Sequence, residues 1–214
     1  MANRIIAGLM GAAIVALAAP ATAQEGLDGL MSPEQQAELY CVYDMLSQTG
    51  EAASIAGVFV DPEATDADIE GADAILSDAI DECLLAYTWT DEMRGYAAAI
   101  GIHGSVIELL TANLVEGGLS EDTVQVIFDA LDLLDEADME TFKSPDWLSD
   151  TRFRKRINRT LIAAGLPNDK AVLSNSLLVM ESSVLTVDAI VDWLLEAGVG
   201  SQASDLLPLG QALA

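Results

Sequence analysis

The run Asp66-Ala67-Asp68-Ile69-Glu70-Gly71-Ala72-Asp73-Ala74-Ile75-Leu76-Ser77-Asp78-Ala79-Ile80-Asp81-Glu82-Cys83-Leu84 mixes acids and aliphatics in a helical rhythm. Ile69, Ala72, Leu76, Ala79, Ile80, Cys83, Leu84 and then Tyr87 recur at spacings of 3, 4 and 7, which places them on one stripe of an α-helix. Asp66, Asp68 and Glu70 fall in its first turn, where the helix dipole favours negative charge. The same letters imitate the opening of an EF-hand loop, with oxygen ligands at positions 1, 3 and 5 and Gly71 at 6. The imitation then fails, because position 12 is Ser77 where a bidentate Glu is needed and position 8 is Asp73 where an apolar residue belongs. An acidic helix start accounts for these residues, and no metal site or cofactor is expected.

Working outward, the punctuation is helical on both sides. Ser32-Pro33-Glu34-Gln35 supplies a cap, a proline at the first helical position and a glutamine at the third, opening a helix that should run to Thr49-Gly50. Thr90-Asp91-Glu92 caps a helix reaching about Glu116 and stopped by Gly117-Gly118. Ser120-Glu121-Asp122 caps another, with Val124, Ile127, Phe128, Leu131 and Leu134 as its apolar stripe. Ser144-Pro145-Asp146 should open a fifth, ending at Gly165-Leu166-Pro167. Asn168-Asp169 begins a long apolar stretch to Gly198, expected as two helices broken near Ser182–Thr186. Residues 55–60 fit either a short helix or an extended piece. Consecutive helices without alternating strand runs predict an all-α bundle of about six to seven helices.

Met1–Ala23 is expected to lie outside that fold. Asn3-Arg4 is a short basic start, Ile5–Ala18 is uncharged and apolar, and Ala21-Thr22-Ala23 matches a signal-peptidase site before Gln24. The expected product is periplasmic or secreted, with residues 24–214 forming a single helical domain. A subdomain boundary, if there is one, belongs near 139–146. Export makes a disulfide the natural use of the two cysteines, Cys41 and Cys83, joining the first two helices.

Charge narrows function further. The chain has 214 residues with 9 Lys+Arg and 35 Asp+Glu, a formal net charge of −26. Signal removal takes away Arg4 and no acid, leaving 8 bases against 35 acids. Nucleic-acid phosphates would repel such a chain, and one histidine, His103, cannot build a multi-histidine metal centre. His103 shares a helical face with Tyr96, Ile100, Ile107 and Leu110, the setting of a packed core histidine. The acids Asp132, Asp135, Glu136, Asp138 and Glu140 read as the carboxyl end of a helix, where the dipole disfavours them.

The bases gather elsewhere. Arg152, Lys155, Arg156 and Arg159 form one stripe of a helix whose other stripe is Phe153, Ile157, Leu161 and Ala164. Two uses follow: an internal match to the acids upstream, or a docking face for an envelope protein or for anionic lipid or glycan. A single buried Glu could also support peptidoglycan cleavage, with Glu108 and Glu181 as candidates in apolar sequence. Glu181-Ser182 is similar to the Glu-Ser pair of lytic transglycosylases, whose downstream Gly- and Gln-containing motifs this chain lacks. The expectation is an exported, non-enzymatic envelope binding module, with a small envelope chaperone as the alternative and the single-Glu enzyme behind it.

Overall fold

A computed structural model describes residues 31–198, and the expected signal segment and its cleavage point lie outside them. Among the described residues there are nine α-helices and one short 3-10 turn, with no strand. The helices are α1 (Pro33–Leu39), α2 (Cys41–Thr49), α3 (Ala52–Val60), α4 (Asp66–Leu84), α5 (Asp91–Glu116), α6 (Glu121–Leu131), α7 (Glu136–Lys143), α8 (Thr151–Ala164) and α9 (Lys170–Glu196).

Two long helices organise the rest. α5 and α9 pack along each other, and the apolar residues fall into two clusters at the two ends of that pair. One cluster joins Leu39, Val42, Leu46, Ile55 and Cys83 to Met93, Ala97 and Ile100 of early α5 and to Ile190, Trp193 and Leu194 of late α9. The other joins Val124, Ile127, Phe128, Phe142, Trp147, Phe153, Ile157 and Leu161 to Ile107, Leu110 and Leu114 of late α5 and to Leu173, Leu177 and Met180 of early α9. Early α5 therefore meets late α9, so the two run antiparallel. By length and composition α5 is apolar enough to cross a membrane, but half of that window is buried in the protein, against α2, α3 and α9.

The helix starts follow the capping logic. Ser32 with Gln35, and Thr65 with Asp68, form reciprocal capping boxes, while the hydroxyls of Thr90 and Ser120 each accept from the third helical N–H. Asp66 and Asp68 thus sit in the first turn of α4, and the EF-hand-like letters are helix throughout.

Four expectations need correction. The first helix is interrupted at Tyr40, whose ψ of 3° leaves the helical region for one residue. The Asp44 N–H still donates to the Tyr40 carbonyl, so the helix resumes at once as α2. Residues 55–60, left open between helix and strand, belong to α3.

The acids after Leu131 do not end a helix: the Asp135 carboxylate accepts from the Asp138 N–H and caps α7, so Glu136 and Asp138 occupy a first turn that the dipole favours. Ser144-Pro145 does not open a helix either. Ser144 is extended, as a residue before proline prefers, and it closes α7. The chain then turns to bury Trp147, and Asp150 caps α8, accepting from the N–H groups of Arg152 and Phe153 at 2.9 and 3.0 Å.

Finally, Lys170–Glu196 is one helix, unbroken at 182–186. The Ser183 hydroxyl donates to the Val179 carbonyl and the Thr186 hydroxyl to the Ser182 carbonyl, each at 2.8 Å. Hydroxyls satisfied by their own helix can be buried without ending it. The count of nine exceeds the six to seven expected because of the Tyr40 break, α3 and α7.

Cys41 and Cys83 are bonded, joining α2 to α4 with their Cα atoms 6.0 Å apart. Close approach of α2 to α5 rests on two glycines. A Cβ on Gly101 would come within 2.7 Å of Val42 Cγ1, and one on Gly104 within 2.7 Å of Tyr43 Cδ2.

Candidate functional site

The basic stripe of α8 is divided by the fold. Arg156 turns to the buried carboxylate of Asp138 and binds it with both guanidinium nitrogens, Nη1 donating to Oδ2 at 2.8 Å and Nη2 donating to Oδ1. Its guanidinium also lies 5.4 Å from the centre of the Phe153 ring. The Asp138 carboxylate, a charge the fold has taken out of water, is thereby paired in the fork geometry that suits guanidinium.

Arg152, Lys155 and Arg159 behave differently. All three are exposed, and none reaches a carboxylate within ion-pair distance among the described residues. Arg152 feels the charge of Asp150 at the helix start, whose carboxyl is held below its usual range chiefly by the Phe153 N–H. Arg159 folds back so that its Nε donates to the Lys155 carbonyl at 3.1 Å. Of the two uses anticipated for the stripe, Arg156 serves the internal match while the other three cations face solvent.

Beside them runs a shallow groove of about 520 Å³ lined by Leu133, Arg156, Arg159, Thr160, Ala163 and Ala164. Its floor is apolar and its rim carries the two arginines. Leu133 is 67% exposed, Leu148 just before α8 is 51% exposed, and Ile162 is 36% exposed. These aliphatics were not singled out in the sequence, although Ile162 continues the 3, 4, 3 spacing of Arg152, Lys155 and Arg159 and so shares their face. Leu133 and Leu148 lie outside helices, where periodicity gives no signal.

The candidate acids are engaged by neutral donors. Tyr43 donates to Glu108 at 3.0 Å, and Trp147 Nε1 donates to Glu181 at 2.5 Å. Burial pushes the Glu181 carboxyl above its ordinary value, against the opposing effect of the Trp147 hydrogen bond. A raised carboxyl suits a general acid, but such an acid must also face a substrate. The groove lies against α8 and touches neither Glu108 nor Glu181.

His103 is half-buried, and burial pushes it down to about 4, so it is neutral at pH 7. Lys143 bridges Glu140 of its own helix, at 3.1 Å, and Asp188 of α9. Among the described residues no group of three or more His, Cys, Asp or Glu side chains is placed to hold a metal ion.

No protein-family model matches this chain, and neither a curated protein nor a solved structure matches it.

Proposed function

We propose that the chain is an exported, non-enzymatic binding module of the cell envelope that engages an anionic partner through α8. The observation that carries this reading is the division of the basic stripe: among the described residues Arg152, Lys155 and Arg159 stand exposed with no carboxylate within ion-pair distance, in a chain with nearly four acids per base. In such a protein an internally useful cation would find an acid easily, as Arg156 and Lys143 do. The Cys41–Cys83 bond supports export, because disulfides persist in oxidising compartments. The single-Glu enzyme is the weaker reading, since Glu181 is tied to Trp147 and the groove is elsewhere.

Expression of the full chain in a Gram-negative host, followed by fractionation and amino-terminal sequencing, tests export. Recovery from periplasm or medium with Gln24 first is the expected result, and a cytoplasmic protein starting at Met1 overturns it. Docking is tested with Arg152→Gln/Lys155→Gln/Arg159→Gln, expected to melt like the parent but lose association with isolated envelopes. Arg156→Gln is the control that loses stability, because it strands the Asp138 carboxylate. Unchanged envelope association of the triple variant rejects the docking reading.

A further inference from the structure

We propose that α8 and the aliphatic residues flanking it form a ridge that seats on the surface of an anionic lipid bilayer. The inference rests on the docking reading of α8 and names the partner. Three observations point to lipid.

Cations and aliphatics share one exposed face. Arg152, Lys155, Arg159 and Ile162 follow one another at intervals of 3, 4 and 3 along α8, exposed on the side opposite the buried Phe153, Ile157 and Leu161. Leu148, in the 3-10 turn just before α8, is exposed as well. A bilayer interface uses both chemistries at once, phosphates drawing the cations while aliphatic side chains enter the boundary of headgroup and acyl chain.

The second observation is Leu133. It is two-thirds exposed, comes from the turn after α6, and lines the same groove as Arg156 and Arg159. Two elements distant in sequence thus bring aliphatic and cationic groups to one surface. A soluble phosphate or glycan would use the cations and gain nothing from Leu133, Leu148 and Ile162. Charge complementarity alone employs the cations, whereas a lipid surface employs both the cations and the aliphatics beside them.

Third, the buried acid nearest the ridge is already neutralised. The Asp138 carboxylate is paired with Arg156, while Asp150, held by backbone N–H groups at the helix start, and the exposed Asp132 and Asp146 keep their charge. The acidic helix α4 belongs to the opposite end of the bundle. Fields from exposed charges are largely screened beyond about 8 Å at physiological salt. A planar anionic surface touching α8 therefore meets the ridge before it meets the bulk of the chain's negative charge.

The test uses the full chain with flotation on vesicles of phosphatidylcholine, with and without an equal part of phosphatidylglycerol, and a parallel titration with soluble polyphosphate. The expected result is flotation with the anionic vesicles only, weakened by salt. Leu133→Gln/Leu148→Gln/Ile162→Gln should melt like the parent and lose vesicle affinity at least tenfold while keeping any polyphosphate binding. Arg152→Gln/Lys155→Gln/Arg159→Gln should lose both. Equal flotation of the aliphatic variant and the parent overturns the lipid ridge. Binding of polyphosphate without vesicles overturns it too, but leaves docking of a soluble anion intact. If the parent binds neither vesicles, polyphosphate nor isolated envelopes, the docking reading fails with it. Salt-sensitive self-association lost in the cationic variant would assign the face to a second copy of the chain and overturn the lipid partner.

Discussion

The two ends of the bundle hold their carboxylates and their cores by different means. No Lys or Arg occurs between Arg4 and Arg94, so the helices α1 to α4 contain no base to pair with an acid. At that end Glu38 accepts from Trp89 Nε1 at 3.0 Å, and at the junction with α5 Glu108 accepts from Tyr43. Neutral aromatic donors satisfy an oxygen without cancelling its charge. Cohesion there comes from the disulfide and from glycines that let α2 approach α5. At the other end bases are at hand, and Asp138 and Asp188 are paired with Arg156 and Lys143. There the core is built on three rings packed edge to face, Phe142 with Trp147 at 5.1 Å and with Phe153 at 4.8 Å between centroids. Local composition thus selects the device: α1 to α4, which have no cation, are held by a covalent link, close backbone contact and aromatic donors, whereas α7 and α8 use ion pairs.

The largest break in this contrast should come from Trp147→Ala. Trp147 is 2% exposed, touches both phenylalanines and donates to Glu181. Emptying that site and leaving Glu181 without its donor should cost about 5 kcal/mol, the top of the range for deleting a buried tryptophan. Chemical denaturation should show this loss, and a loss under about 1 kcal/mol would remove the aromatic cluster as the anchor of its end.

Next is Cys41→Ala/Cys83→Ala. Opening a link between residues 42 apart in sequence should cost about 4 kcal/mol on the chain-entropy account. Hydrogen exchange should place the loosening in α1 to α4 and spare α6 to α8. Uniform loosening would mean that α5 and α9 couple the two ends into one cooperative unit.

Acid provides the third test. The folded state holds His103 down at about 4 against 6.5 when unfolded, so the unfolded chain binds the proton more tightly and stability falls as pH drops below 6.5. Between pH 7 and pH 5 the parent should lose about 2 kcal/mol relative to His103→Gln. Asp44 and Glu181, both raised by burial, work in the opposite sense, since protonating them relieves a cost present at neutral pH. Parallel pH profiles for parent and His103→Gln would reject the buried neutral histidine.

The smallest effect expected is for Gly104→Ala. Its new Cβ meets Tyr43 at 2.7 Å, so α2 must shift or the Tyr43–Glu108 bond must move, at about 1 kcal/mol, the low end of the cost of overpacking. Gly71→Ala, where nothing lies within 4 Å of the new Cβ, is the control that should not destabilise.

Much of the helix layout was legible because caps and stripes are local. Ser32, Thr90 and Ser120 start helices where their side chains accept from backbone three residues on, an interaction written within a few residues of chain, while the start of α4 was read from its acids and not from its Thr65 cap. The misread places share a different cause. Whether Ser183 and Thr186 break α9 depends on what the surrounding core tolerates, and Ser144-Pro145 looked like a helix start until the burial of Trp147 dictated the turn. Among the candidate site residues, the basic stripe could be drawn from spacing alone, but not its division between Arg156 and the other three. That required knowing which way Asp138 faces once Asp135 caps α7.

By itself the sequence determined the all-helical class, the cysteine pairing that two cysteines permit, and the one-sided charge, since each depends on residue identity and short-range periodicity. Tertiary structure alone decided which cations are consumed inside the fold and which aliphatics are left in water beside them. Those outcomes turn on residues far apart in the chain coming together, Leu133 and Arg159 on one groove or Lys143 with Asp188 in an ion pair, and no local pattern encodes them.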